Sequence, residues 1–405
     1  MALVVKKFGG SSLATPEHIK NIAKRVVEDK RNKKNKIVVV VSATGDTTDD
    51  LISSAKKLNP NPPHRELDML ISTGEIVSSA LMAMAIDNMG EQAVSLTGQQ
   101  IGIMTDSSHT KASIKKVKTE RITKELGENK IVVVAGFQGK DESDEITTLG
   151  RGGSDTTAIA IAIALKADIC EIFTDVGGVY TANPRIVPEA KKIKTLSYDE
   201  MLEMASSGAQ VMQTRATELA SKYNLKFHVR SSFTKTEGTI ITKEIDSMEK
   251  VVVRGVIAAK DEARVTIHDI PNKPGVAAYI FGRLGKEKIN VDMIIQSSAH
   301  QDKSDISFTV NEDSLAKTLE VMEKAKEHLK ASRVASDPNI GKIAVVGVGM
   351  KTHSGVAGKM FESLARENIN IEMISTSEIR ISCVIRRDLC DKAIKVLHKE
   401  FELEK

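Results

Sequence analysis

The stretch VVKKFGGSS, Val4 to Ser12, sets the architecture of the chain. A short apolar strand runs into two glycines and two serines, a combination that lets main-chain N–H groups approach a phosphate. Its lysines, Lys6 and Lys7, come before the glycines, whereas a P-loop places its lysine after them. The stretch therefore reads as a phosphate cradle in an order that a P-loop does not have, and what that order serves is a question for the rest of the chain. Beyond it, KIVVVVS (Lys36 to Ser42), KIVVVAGF (Lys130 to Phe137) and DICEIFTD (Asp168 to Asp175) read as further strands buried on both faces. Between the first two strands a helix starts cleanly, with Thr15 as N-cap, Pro16 at its first position, and Ile19, Ile22, Ala23, Val26 and Val27 on one face. Alternation of this kind through about residue 245 predicts an α/β domain, a mostly parallel sheet sandwiched by helices, with its ligand outside the carboxyl ends of the strands.

Two more glycine-rich stretches follow strands: LGRGGSDTT (Leu149 to Thr157), where Ser154 can cap an apolar helix, and TDVGGVYTANPR (Thr174 to Arg185). A glycine pair alone is an ordinary turn. Three at strand ends of one α/β domain are harder to read as plain turns, and the second, at a helix start, is the best anion site. Arg151 adds a guanidinium fork beside a helix start. In STGE, Ser72 to Glu75, Gly74 interrupts a helical run from His64 to Met89, which predicts a local break or a close backbone approach. Glu75 then faces either a pocket or solvent.

The composition narrows the class. A chain of 405 residues exceeds one compact core and predicts two or three domains. Its formal charge of +4 comes from 58 basic and 54 acidic residues mixed along the chain, and aromatic residues are few, so nucleic acid is not expected as a partner. No apolar run is expected to reach the length of a membrane span. The three cysteines lack C-x-x-C spacing and the nine histidines lack metal-site spacing, so a cytoplasmic protein with no protein-held metal is expected.

After about Ile245 an internal repeat appears. GVAAYIFGRLGKEKINVDMI (Gly275 to Ile294) and GVAGKMFESLARENINIEMI (Gly355 to Ile374) align without gaps. Each copy reads as a β-α-β-β-α-β module. The second copy ends without its last strand, and an unassigned strand, VVVRGVIA (Val251 to Ala258), precedes the first. The expected division is 1–245, then one module at 263–336 inserted within another made of 249–260 and 340–405.

KFGGSS, VVVVSATGDTTD (Val38 to Asp49), STGE, TTLGRGGSDTTA and FTDVGGVYTANPR together resemble the motif series of aspartate kinases, in the amino acid kinase fold, and the paired modules resemble ACT domains. The resemblance spans essentially the whole chain. It implies transfer of the γ-phosphoryl of ATP, with Mg²⁺, to the side-chain carboxylate of L-aspartate. That acceptor is already ionised at neutral pH, so the lack of a histidine-centred base is expected. By the same resemblance Lys7 and Asp155 act at the reacting groups. Arg151 clamps the α-carboxylate, Glu75 holds the ammonium, and Thr47, Phe137, Gly152, Gly153 and Ser154 line the substrate pocket. Lys7, Phe8, Gly9, Gly10, Thr174, Asp175, Tyr180, Thr181, Arg185 and Gln210 handle the nucleotide. Asn183 and Gln210 stand where many relatives carry aspartate and lysine.

The modules imply feedback by an amino-acid effector, lysine, threonine or both. The residues implied are Asn272, Lys273, Pro274, Gly275, Val276 and Ala277, then Asn290, Val291, Asp292 and Gln296, and from the second copy Val356, Ala357, Asn370, Ile371, Ser377 and Glu378. A homodimer or higher oligomer through these modules is also implied, as is the absence of a fused homoserine dehydrogenase. Two other readings stay open: another enzyme of the fold, acting on glutamate, N-acetylglutamate, carbamate or UMP, and a non-catalytic amino-acid sensor.

Overall fold

The computed structural model describes residues 1–209, 211–243, 252–297, 302–351 and 353–405. It divides into two compact units. The first comprises Met1–Val179, Lys192–Ala205 and Gln210–Ser247; the second comprises Tyr180–Lys191, Ser206–Ala209 and Met248–Lys405. Two short stretches inside the expected 1–245 span thus cluster with the C-terminal residues. Their chemistry explains this: Ala182 and Val187 join the apolar core of Val256, Ile343, Val345 and Leu397, and the Val256 N–H donates to the Thr181 carbonyl at 2.8 Å.

The first unit is built on an eight-stranded sheet in the order Thr195–Ser197, Thr239–Thr242, Phe227–Ser231, Ile169–Thr174, Leu3–Phe8, Lys36–Val41, Ile131–Ala135, Ala93–Leu96. All neighbours run parallel except Phe227–Ser231 with Thr239–Thr242. The central strands are buried on both faces, as their unbroken β-branched runs require. Phe8, Val39, Val41 and Val133 pack with Ile22, Val26, Met82 and Ile86 from the covering helices. The helix Pro16–Lys33 begins where its capping signal lies, the Thr15 hydroxyl accepting from the His18 N–H at 3.1 Å. A second, four-stranded sheet orders Ile114–Val117, Ile103–Thr105, Gln138–Lys140 and Ile146–Thr148.

The run around Gly74 breaks as expected, into His64–Ile71 and Thr73–Asp87. One expectation needs correction here. Taken together His64–Asp87 is 24 residues with a mean hydropathy of 1.6, which by length and composition is enough to cross a membrane. One face of its second half is instead buried in the first unit, with Gly74, Glu75, Ser78, Ser79, Met82 and Ile86, while Val77, Leu81 and Met84 are exposed on the other.

The second unit carries a six-stranded antiparallel sheet in the order Ile294–Gln296, Lys303–Asn311, Gly255–Pro271, Arg333–Val346, Arg380–Arg386, Met373–Thr376. Of the expected strand Val251–Ala258, Val251 lies outside the described residues. Gly255–Ala259 pairs with Lys342–Val346, and the strand continues to Pro271. No Gly or Pro separates Ala259 from Ala263, so the chain crosses between copies through a register shift rather than a turn. The long strand Arg333–Val346 does the same in the other direction, with Pro338 at its irregularity, where a missing N–H costs no ladder bond. The repeat is visible in the caps: Gly275 and Gly355 stand at φ 95° and 93° before the equivalent helices Val276–Lys286 and Val356–Arg366.

Candidate active site

Because Leu3–Phe8, Lys36–Val41, Ile131–Ala135 and Ile169–Thr174 are parallel neighbours, the loops after Phe8, Val41, Ala135 and Thr174 leave the sheet side by side. The candidate site lies there. Strand alternation sends Lys6 and Lys7 to opposite faces. Lys7 meets Asp155, in the first turn of the helix Gly153–Leu165, with Nζ 2.6 Å from Oδ1. Lys7 also lies over Gly9, whose absent Cβ would stand 3.4 Å from its Nζ. A Cβ on Gly10 would come within 2.9 Å of the carbonyl oxygens of Ala43 and Gly45, so only glycine allows the two loops to meet, and the Gly45 N–H donates to the Gly10 carbonyl at 3.0 Å.

Gly74 has the equivalent role in the helix that follows. A Cβ there would stand 2.8 Å from the Ala43 Cβ, so its absence lets the helix Thr73–Asp87 approach the loop after Val41. Glu75 Oε1 then accepts from the Ala43 N–H at 3.0 Å. Its other oxygen, Oε2, is buried with no hydrogen-bond partner. Burial pushes this carboxyl up to about 7, partly opposed by the Ala43 N–H. A half-satisfied buried carboxylate is costly unless something cationic arrives to meet it.

Around these groups, Thr47 donates its hydroxyl to the Thr44 carbonyl at 2.6 Å and flanks the Gly74 approach. Phe137 adopts φ 68°, with its N–H donated to Thr157 Oγ1 at 3.1 Å. Ser154 does not cap the helix as expected. Gly152, at φ 70°, occupies the cap position, and the Ser154 hydroxyl instead lies where a Gly136 Cβ would be, 2.8 Å away. Arg151 is exposed in the turn between Gly150 and Gly152. Phe8 is wholly buried and stacked on Phe173 at 4.7 Å, so it can offer a ligand only its main chain. Thr174 Oγ1 accepts from the Val176 N–H at 3.0 Å, shaping the turn that carries Asp175.

The remaining nucleotide residues are not all in the same unit. Tyr180, Thr181 and Arg185 belong to the second unit, where the Thr181 hydroxyl bonds His398 Nε2 at 2.9 Å. Asn183 Oδ1 accepts from the Arg185 N–H at 3.0 Å, the same turn-forming contact an aspartate would make. Gln210 lies outside the described residues.

In the second unit the implied effector loops form two matched ion pairs. Asp292 is held by Lys342, a lysine only 1% exposed that also reaches Glu262 Oε1 at 3.2 Å and the Ser206 carbonyl at 3.1 Å. Its counterpart in the repeat, Glu372, is held by Arg264 at 2.6 Å. Each acid thus pairs with a base on one of the two long strands. Gln296 reaches Asn272 Oδ1 at 3.4 Å, and Ser377 accepts a side-chain bond from the Ile379 N–H at 3.4 Å. Lys273, Pro274, Val276, Ala277, Val356, Ala357, Asn290, Val291, Asn370, Ile371 and Glu378 surround these positions along the chain.

The profile of the amino acid kinase family matches residues 2–231, and that of the ACT domain matches residues 268–325 and 343–401. An aspartate kinase of Stutzerimonas stutzeri, Ask_LysC, is 48% identical over 405 residues, covering 100% of this chain and 98% of its own. The chain belongs to the aspartokinase family. Among solved structures, Escherichia coli aspartokinase III in complex with aspartate and ADP shares the fold at a TM-score of 0.84 and 24% identity, over 98% of this chain and 99% of that one. The same enzyme in complex with lysine and aspartate aligns at a TM-score of 0.74 and 23% identity, over the same shares of the two chains.

Sequence reasoning missed several groups that shape this aspartokinase site. Ala43 and Gly45 act through their main chains, which leave no residue-type signal. Lys6, one residue from Lys7, reads as its equivalent in sequence, yet it pairs with Asp29 and with Glu171 at 2.9 Å on the far face.

Proposed function

We propose that this chain transfers the γ-phosphoryl group of ATP to the side-chain carboxylate of L-aspartate, giving 4-phospho-L-aspartate, the entry to lysine, threonine and methionine biosynthesis. The observation that carries the reading is the buried, unpartnered Glu75 Oε2 on the same rim of the sheet as the Lys7–Asp155 pair. It is a site for an ammonium next to a site for a phosphoryl group. Phosphoryl transfer demands little covalent chemistry from a protein and much positioning and positive charge. Lys7 supplies that charge, oriented by Asp155, while the bare main chain at Gly9 and Gly10 lets N–H groups approach the phosphate oxygens. Arg151 takes the α-carboxylate, and Glu75 the α-ammonium, of an acceptor whose second carboxylate points at ATP. Mg²⁺ enters as part of the nucleotide substrate, coordinated chiefly by phosphate oxygens and water. The Escherichia coli relative of the same fold holds aspartate and ADP, which agrees with this assignment.

The same reading assigns feedback to the ACT modules. Asp292 and Glu372 are the acids that would meet an effector's ammonium, and the Escherichia coli relative binds lysine. We place the division at 1–245, 263–336, and 249–260 with 340–405. Exposed Ile294 and Ile374, at matched positions on the two edge strands, support association of the modules in a dimer or larger oligomer. Three free, buried cysteines fit a cytoplasmic setting. Trapping the acyl phosphate with hydroxylamine tests the reaction: hydroxamate formed with aspartate and ATP, and not with glutamate or N-acetylglutamate, is the expected result. Equal turnover of glutamate would overturn the substrate assignment.

A further inference from the structure

The turn that carries Arg151 is braced from several directions. Arg215, near the start of the helix Thr214–Lys222, donates from Nη1 to the Leu149 carbonyl at 2.9 Å and from Nη2 to the Ala112 carbonyl at 2.6 Å. It makes no ion pair among the described residues, so its charged fork serves two main-chain oxygens from distant stretches of the sequence. Gln213 seals the other end of the turn: a Cβ on Gly152 would come within 1.7 Å of the Gln213 Cγ, so the side chain lies where only glycine leaves room. Asp68 anchors the approach to the turn. Fully buried, it accepts from the Thr110 N–H at 3.0 Å and from the Thr148 hydroxyl, and bonds His109 Nδ1 at 2.8 Å. The Ala112 N–H donates to the Thr148 carbonyl, and a Gly150 Cβ would meet the Thr110 carbonyl at 3.1 Å.

We infer that Arg215 is a positioning residue for the substrate clamp, fixing the Leu149–Gly152 turn so that Arg151 meets the α-carboxylate of the acceptor in one orientation. The inference rests on the reading of Arg151 given above. A guanidinium suits the task because its planar fork can hold two carbonyls at once, whereas an ammonium presents a single point of charge and methionine presents none. Its contacts stop at the turn and at Ala112. Its influence should therefore fall on how the acceptor is seated, and not on the nucleotide.

Steady-state kinetics of the full chain with Arg215→Met, Arg215→Lys and Gln213→Ala test this, with β-alanine, which lacks the α-carboxylate, as the comparison acceptor. For Arg215→Met the expected result is an aspartate KM raised roughly tenfold or more, the factor attached to a misplaced charged hydrogen bond. The KM for ATP and the saturated kcat should stay within about twofold, as for loss of uniform binding. The preference for aspartate over β-alanine should shrink by the same factor, and Arg215→Lys should recover some of it. Gln213→Ala, which leaves the guanidinium in place, should move the same parameters less, and it serves as the readout if Arg215→Met fails to fold. An unchanged aspartate KM, or KM values for both substrates rising together with a fall in kcat, would overturn the inference. Arg151→Met separates the two levels: if it leaves the aspartate KM and the β-alanine ratio untouched, the clamp reading itself fails, whereas an effect there with none at Arg215 or Gln213 sinks only the present inference.

Discussion

Lys6 and Lys7 are neighbours in sequence, both buried, and they do opposite things. Lys6 is 1% exposed and lies among Asp29, Glu171 and Arg230, where Glu171 bonds Arg230 at 2.6 Å and the charges are closed among themselves. Among the described residues Lys7 has Asp155 as its one ionic partner, and beside it stands Gly9, which brings no charge to neutralise it. On one face of the strand, charge is used to hold the sheet to its helices. On the other it is kept available. A buried network whose charges are paired among themselves is structural, while a charge held by a single partner on the rim of a parallel sheet marks the chemistry.

Substitution of either lysine challenges that contrast. Lys7→Met should cost about a thousandfold in kcat, the scale of losing a preorganised charge at a developing anion, together with some stability, because the buried Asp155 loses its cation. Lys6→Met should spare the turnover of the folded fraction and lower stability in urea titrations by about 1–3 kcal/mol, since the buried Glu171 keeps Arg230 and the half-buried Asp29 keeps Lys33. Equal kinetic losses in the two variants would erase the distinction between the faces.

Glu75 extends the contrast from phosphoryl group to acceptor. Glu75→Gln should raise the aspartate KM by about 10- to 100-fold, corresponding to ~1–3 kcal/mol for a buried charge-assisted bond. Because its carboxyl sits at about 7 in the ligand-free protein, it must lose a proton before it can meet an ammonium. The aspartate KM of the parent chain should therefore rise as pH falls below about 7, and that rise should vanish in the variant. The stability sign is the reverse. Between the ordinary carboxyl value of 4.5 and about 7 the folded state holds a proton that the unfolded state has lost, so the ligand-free protein should lose stability as pH rises across that window. Thr15→Ala gives the smallest effect, about 1 kcal/mol from the lost cap, with kcat unchanged.

Much of this is legible in sequence. The strands around VVKKFGGSS, the Thr15 cap, the break at Gly74 and the repeat beginning at Gly275 and Gly355 all follow from local patterns that the structure reproduces. What escapes is long-range. Nothing local shows that Tyr180–Lys191 and Ser206–Ala209 cluster with the C-terminal unit, because that depends on which apolar surface Ala182 and Val187 meet. The two long strands likewise read as separate pieces, since a register shift at Ala259 and Pro338 has the sequence appearance of a boundary. Ser154 resembles a cap by residue type, but the left-handed Gly152 takes that position first. Arg215 gives no signal of its own, because its partners are carbonyl oxygens that every residue possesses.

A crystal structure with ADP, aspartate and a planar fluoride mimic of the transferring phosphoryl group would put the division of labour between Lys7 and Glu75 to its sharpest trial. The expected result places Lys7 Nζ and Glu75 Oε2 each within ~3 Å of their targets, the first on the mimic and the second on the aspartate ammonium, in one continuous site. Ligands seated so that Lys7 and Glu75 open onto separate cavities would refute it.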